Sequence, residues 1–158
     1  IGPTYLGVGL QSANPDVLKL HQRFADGPRF EESVRRLAAV TMVELQIIMA
    51  LPGDTPDGFR RTLDYALTLP ASIRVYHCLV LPDALMTRGL PEMNMVYDPR
   101  TLAMESCLGW SRDDILSMRN ELAQRTVLAG GRVGNWWWSI PEPKESAARH
   151  KQVRMMPA

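Results

Sequence analysis

Residues 42–59 read MVELQIIMALPGDTPDGF. Met42 to Met49 is an apolar run of strand length, broken only by Glu44 and Gln46. Those two lie two residues apart, so they share one strand face, opposite Val43, Leu45 and Ile47. The run passes through Ala50-Leu51 into Pro52-Gly53, a tight turn. Thr55-Pro56 follows as a helix start, a capping hydroxyl ahead of a proline suited to the first helical position. Phe59, Leu63, Ala66 and Leu67 recur at helical spacing, and Pro70 stops that helix. A strand, a tight turn and a returning helix make most of a βαβ unit.

Upstream the same order is found. Tyr5 to Leu10 (YLGVGL) is a second short apolar run, ending at Gln11-Ser12-Ala13. Asn14-Pro15-Asp16 predicts a helix carrying Val17, Leu18 and His21 that frays near Asp26-Gly27-Pro28. Phe30, Val34, Leu37 and Ala38 form one face of the next helix, with Glu31, Glu32, Arg35 and Arg36 on its solvated side. Downstream, Ile73 to Leu81 (IRVYHCLVL) is a third strand, closed by Pro82-Asp83. A long irregular stretch with Gly89, Pro91 and Pro99 comes next. Ser111-Arg112-Asp113-Asp114 is a capping box with Asp in the acidic position. It opens a helix whose inner face is Ile115, Met118, Leu122 and Val127, and Gly130-Gly131 ends it. From Pro141 onward the chain is rich in proline and charge, which predicts disorder.

The strand starts at 5, 42 and 73 imply parallel strands joined by helical crossovers. Helices returning on one side leave the other sheet face open. Its Val, Ile and Leu side chains are expected to need cover from a larger sheet or barrel. The chain starts Ile1-Gly2-Pro3-Thr4, which also suggests a piece of a longer protein. With 158 residues and 46% hydrophobic content, a disordered or collagen-like chain is excluded. A net charge of +1 argues against a dedicated nucleic-acid binder, and no apolar run reaches membrane-spanning length. Cys78 and Cys107 are too few for a disulfide framework or a cysteine-only metal site, so no metal ligand is expected in this chain and a reduced, cytoplasmic setting is the default.

In parallel α/β architectures, ligands gather at the carboxyl ends of strands. Here those ends are Gln11-Ser12, Ala50-Leu51-Pro52-Gly53 and Leu79-Val80-Leu81-Pro82. Gln11 and Ser12 offer donors and acceptors, Gly53 lets backbone approach a ligand, and the third end suits a flat base. Each has a plainer reading: Ser12 as a helix cap, Pro52-Gly53 as a bare connection. His77 is either an acid–base group facing a substrate or a structural strand histidine, and Tyr76 must face the other way. Both cysteines read as inert thiols. Trp136-Trp137-Trp138 cannot share one face, and is read as a plug over the apolar face or a lid over an aromatic substrate.

At these residues the chain resembles the radical S-adenosylmethionine (SAM) superfamily, in particular its cobalamin-associated branch. The matching stretches are 9–18 (GLQSANPDVL) and 47–59 (IIMALPGDTPDGF), with 75–82 (VYHCLVLP) weaker and Tyr97-Asp98-Pro99 at a usual place. The resemblance covers roughly residues 5–128, and the first two stretches are specific only as a pair. It implies an α/β fold, the C-terminal half of a partial (β/α)6 TIM-like barrel. Three parallel strands with crossover helices are followed by a C-terminal helix: barrel over 1–83, connection and helix over 84–132, Trp-rich segment and tail over 133–158. It implies that Gln11, Ser12, Ala50, Leu51, Pro52, Gly53, Leu79, Val80 and Leu81 bind SAM. Gln46, His77, Trp136 and Trp137 would face a small-molecule or peptide substrate. A [4Fe–4S] cluster would pass an electron to the sulfonium, for radical chemistry or for methyl transfer through cobalamin. The cluster's CxxxCxxC loop and the DxHxxG cobalamin signature are absent from these 158 residues. The N-terminal half of the same barrel and a cobalamin-binding domain are therefore the implied partners. Ala50 stands where the family usually has glycine, and Gln46 where an acidic residue is frequent. Three alternatives remain: a radical SAM enzyme without cobalamin, a non-catalytic module derived from such a barrel, and a doubly wound nucleotide-binding fragment. Against the last, neither GxGxxG nor GxxxxGK[ST] is present.

Overall fold

A computed structural model describes residues 5–24 and 26–143. Strand β1 (Tyr5–Gln11) is followed by helices α1 (Pro15–Leu20) and α2 (Gly27–Ala38). Next come β2 (Met42–Met49), α3 (Pro56–Leu67) and β3 (Ser72–His77). A small hairpin, β4 (Val96–Tyr97) and β5 (Met104–Ser106), precedes helix α4 (Arg112–Leu128). Strands β6 (Arg132–Val133) and β7 (Trp137–Ile140) end the described chain. The main sheet has the order β1-β2-β3-β7-β6, with β1, β2 and β3 parallel and β7 antiparallel to both neighbours.

The helix boundaries follow their caps. Asn14, Asp26 and Thr55 each accept a backbone N–H of the first turn, at 3.0, 3.1 and 3.0 Å. Asp26-Gly27-Pro28 therefore opens α2 rather than fraying α1. Ser111 and Asp114 form the reciprocal capping box of α4. On the outer side of the two longer crossovers, Arg60 pairs with Glu121 at 2.8 Å and Arg125 with Asp64 at 2.8 Å, joining α3 to α4.

The core lies between the sheet and its helices. Leu45, Ile47, Ile73 and Val75 are 0% exposed and meet Phe59, Leu63 and Leu122. Val127 was expected on the inner face of α4, but it is exposed, and Thr126 is buried there instead.

Three expectations about the sheet change. The third strand ends at His77, not Leu81, because the chain then swerves to the β4–β5 hairpin. Val80 N–H donates to Leu102 O at 2.8 Å, and Leu79 bridges Ala103. The Trp-rich segment joins the main sheet, where β7 pairs Trp138 with Val75 and Trp137 with Tyr76. The expected boundary at 132/133 thus falls inside a β-hairpin. The disorder expected after Pro141 concerns, from residue 144 on, residues outside the described ones. Finally, the open face is not a sheet of Val, Ile and Leu. Apart from Ile48, strand parity sends those to the helices, and it leaves Glu44, Gln46 and Ile48 of β2, Ser72, Arg74 and Tyr76 of β3, and Trp137 of β7 on the open side. Gly7 and Gly9 of β1 lie beside Glu44 and Gln46 on that side.

Candidate binding site at the strand ends

A cleft of about 580 Å³ opens on this face at the carboxyl ends of β1, β2 and β3. Its wall is set by register. Ile48, Tyr76 and Trp137 are direct cross-strand neighbours, so they form one row across three strands. Below them Arg74 pairs with Glu44 at 3.1 Å and stacks 4.7 Å from the centroid of Trp137. Glu44 is only 4% exposed, so this pair is a largely buried neutral unit. Partial burial and a hydrogen bond to Glu44 push the Tyr5 phenol up to about 12.

Two carboxamides lie across the glycines of β1. A Cβ on Gly7 would meet Gln46 Nε2 at 2.9 Å, and one on Gly9 would meet Gln11 Nε2 at 2.7 Å. The glycines in YLGVGLQ thus leave room for the amides. Gln11 and Ala50 both have φ near +65°, at 66° and 65°. A left-handed backbone at the ends of two neighbouring strands is uncommon outside glycine and clusters at ligand sites.

The residues predicted to bind sort into two groups. Gln11, Gln46, Leu51, Leu79 and Leu81 border the cleft, as do Trp136 and Trp137. Ser12, Ala50, Pro52, Gly53 and Val80 do not. Ser12 is 0% exposed; its hydroxyl accepts from Asn14 N–H at 3.1 Å and bonds to Asp54. Ala50 and Val80 are fully buried. The Pro52 carbonyl accepts from His21 Nε2 at 2.8 Å. Gly53 has φ +88°, donates to Leu108 O at 2.8 Å, and has Leu20 where a Cβ would be. These five build the rim from behind. A wider hollow of about 960 Å³ lies along the outer edge of β1 toward α2, and Gln11 and Ser12 border it too.

His77 borders the cleft, with its ring on the strand face opposite that of Tyr76. It has the parity of Ile73 and Val75, is 3% exposed, and lies against α4. Nε2 meets Met104 O at 2.7 Å and Nδ1 meets Arg119 at 3.1 Å. Burial, helped by the Arg119 charge and opposed by the Met104 contact, lowers its pKa to about 4. Tyr76 is the neighbour that faces the cleft. The Glu44–Arg74 pair, Arg119 and Asp54 were not foreseen as parts of the site. Parity alone marks the first pair; the other two depend on contacts distant in sequence.

The described residues do not fit an iron–sulfur cluster. Burial pushes the Cys107 thiol up to about 12 and the Cys78 thiol higher still. No three His, Cys, Asp or Glu side chains among the described residues converge as metal ligands. No described helix is long and apolar enough to cross a membrane.

The chain is thus an α/β unit of three parallel strands, helices on one face and a cleft at the strand ends. Among solved structures it is similar to coproporphyrinogen III oxidase (HemN) from Escherichia coli, described as a radical SAM enzyme. The TM-score is 0.63 at 20% identity, covering 95% of this chain and 32% of that one. The likeness is one of fold, and the chain spans about a third of that enzyme's length. No family model and no curated protein matches.

Proposed function

We propose that this chain is the C-terminal half of a radical SAM barrel and that its cleft holds S-adenosylmethionine. The observation that carries this reading is convergence: Gln11, Leu51, Leu79 and Leu81, from the ends of three separate strands, border one cleft. The fold likeness to a radical SAM enzyme supports it. The volume suits a ligand of nucleoside size, within the usual ~300–1,000 Å³. Leu51, Leu79 and Leu81 would cover the adenine and keep water from it. The Gln11 carboxamide, fixed over Gly9, would hydrogen-bond the ribose or methionine part. Bound there, the molecule supplies a sulfonium whose carbon–sulfur bonds are the reactive ones.

Because the two thiols do not fit a cluster, no electron-transfer step is derived from these residues. In this proposal the cluster belongs to the N-terminal half of the barrel, which would add at β1, the sheet's outermost parallel strand. Use of cobalamin, transfer of a methyl group and a cobalamin-binding domain as partner rest on the sequence resemblance alone.

The test is calorimetric titration with S-adenosylhomocysteine, the unreactive analogue. Saturable binding is expected, weakened about tenfold or more by Gln11→Ala and by Leu81→Asp. Affinity unchanged from the parent in both variants, or no binding even with the barrel half that carries CxxxCxxC supplied, overturns the proposal.

A further inference from the structure

We infer that the cleft also takes an organic anion, with a flat apolar body on the Ile48–Tyr76–Trp137 row and a carboxylate or phosphate at Arg23 and Arg88. The charged side chains that border the cleft are these two arginines, and no Asp or Glu borders it. Neither is neutralised among the described residues. Arg88 reaches only the backbone carbonyl of Asp83, at 3.3 Å, and Arg23 has no side-chain partner there. Three other arginines of these layers are paired with carboxylates, Arg74 with Glu44, Arg60 with Glu121 and Arg125 with Asp64, whereas Arg119 is held by His77 and the Asn135 carbonyl. An unpaired guanidinium presents a planar fork of donors that matches a carboxylate or phosphate.

The row below them fits the rest of such a molecule. Ile48, Tyr76 and Trp137 are in register on adjacent strands, so the row is about 10 Å across. Tyr76 is 38% exposed with no carboxylate beside it in the cleft. Gln46, a neutral amide next to this row, adds hydrogen bonding without negative charge. A fused ring system can lie on the row while its anionic group reaches the arginine rim. Calling this anion the substrate rests on the proposed function. The preference for an anion does not.

The experiment is calorimetry on the full chain at fixed ionic strength, with 2-naphthoate, 2-naphthyl phosphate and the neutral 2-naphthalenemethanol as probes. Both anions are expected to bind about tenfold or more tighter than the alcohol. The double variant Arg23→Gln/Arg88→Gln should bring all three level without changing the alcohol's affinity or the melting temperature. Tyr76→Ala should weaken all three. Equal binding of alcohol and anions by the unaltered chain, or an anion preference that survives the double variant, overturns the inference. A repeat with S-adenosylhomocysteine at saturation separates the two sources of a carboxylate. Unchanged naphthoate affinity supports a substrate site. Competition assigns the arginines to the nucleoside's own carboxylate and overturns the substrate assignment. Absence of S-adenosylhomocysteine binding beside an intact naphthoate preference removes the proposed function and leaves the anion site standing.

Discussion

Arg119 of α4 meets Nδ1 of His77 at 3.1 Å. A guanidinium can only donate, so Nδ1 is the acceptor and the imidazole proton sits on Nε2, where it reaches Met104 O at 2.7 Å. Arg119 also donates to Asn135 O at 2.8 Å, and its guanidinium carbon lies 4.8 and 5.4 Å from the Trp136 and Trp138 rings. One half-buried cation thus fixes a neutral histidine and two indoles, of which Trp136 borders the cleft.

That arrangement gives a signed pH dependence. The pKa of His77 falls from 6.5 to about 4, so the unfolded chain takes a proton that the folded chain refuses. Stability from this group is complete above pH 6.5 and is lost as the pH falls toward 4, by roughly 3 kcal/mol in all. His77→Gln does not titrate and can still donate to Met104 O. Urea denaturation at a series of pH values should show a shallower acid slope in the variant, by up to one proton. Parallel slopes for variant and parent would refute a buried neutral His77.

Asp54 behaves in the opposite sense. It is 1% exposed, accepts from Thr55 N–H at 2.8 Å, and bonds to the Ser12 hydroxyl. Burial raises its pKa above 3.8. Its ionisation therefore opposes folding, and stability declines as the pH rises through the folded-state value. Asp54→Asn keeps an acceptor for Thr55 and removes the charge, so that decline should vanish. Asp54→Ala orphans Ser12 and should cost ~1–3 kcal/mol. Denaturation at pH 4 and pH 7 separates the two. An alanine variant as stable as the asparagine one at both values would mean the contact contributes nothing.

The strand Met42–Met49 was legible to the residue, because an eight-residue, largely apolar run between turn signals is too short for most helices and has the length of a strand. The starts of α3 and α4 were legible too, since Thr55-Pro56 and Ser111…Asp114 make their caps locally. What escaped depends on pairings distant in sequence. Nothing near Trp137 says that it will lie beside Tyr76, 61 positions earlier. The third strand looked continuous to Leu81 because Leu79 and Val80 are as apolar as Val75, yet their backbone partners are Ala103 and Leu102. The site was half legible for a similar reason. Rim position is set by strand order, and the sequence placed Gln11, Leu51 and Leu81 there. Whether a rim residue faces the cleft or supports it from behind depends on backbone twists such as those at Gln11 and Ala50.

The two thiols give a prediction of silence. Cys78 and Cys107 are buried, and burial holds both well above the usual thiol range. The thiolate is the reactive form. At pH 8 neither should react with Ellman's reagent in the folded chain, and both should react within the unfolding transition in urea. Prompt labelling of one thiol before unfolding would show that the Cys107–Ala50 contact, 3.6 Å from sulfur to carbonyl oxygen, opens readily.

Glycine replacements separate cleft geometry from stability. At Gly7 the atom in the way is the end of the flexible Gln46 side chain, at 2.9 Å. Gly7→Ala should move the amide, leave stability within about 1 kcal/mol, and weaken binding of any ligand that uses Gln46. At Gly109 the obstacle is the backbone carbonyl of Asp54, 1.9 Å from the added carbon, and φ is +86°. A carbonyl in a buried turn cannot swing aside, so Gly109→Ala must displace the loop that carries Asp54 or strain its own backbone. A loss of about 3 kcal/mol or more is expected, at the exceptional end for a single substitution. Urea denaturation of both variants beside the parent checks the contrast. It fails if Gly7→Ala proves the more destabilising, because Gln46 would then be holding the sheet together rather than lining a cleft.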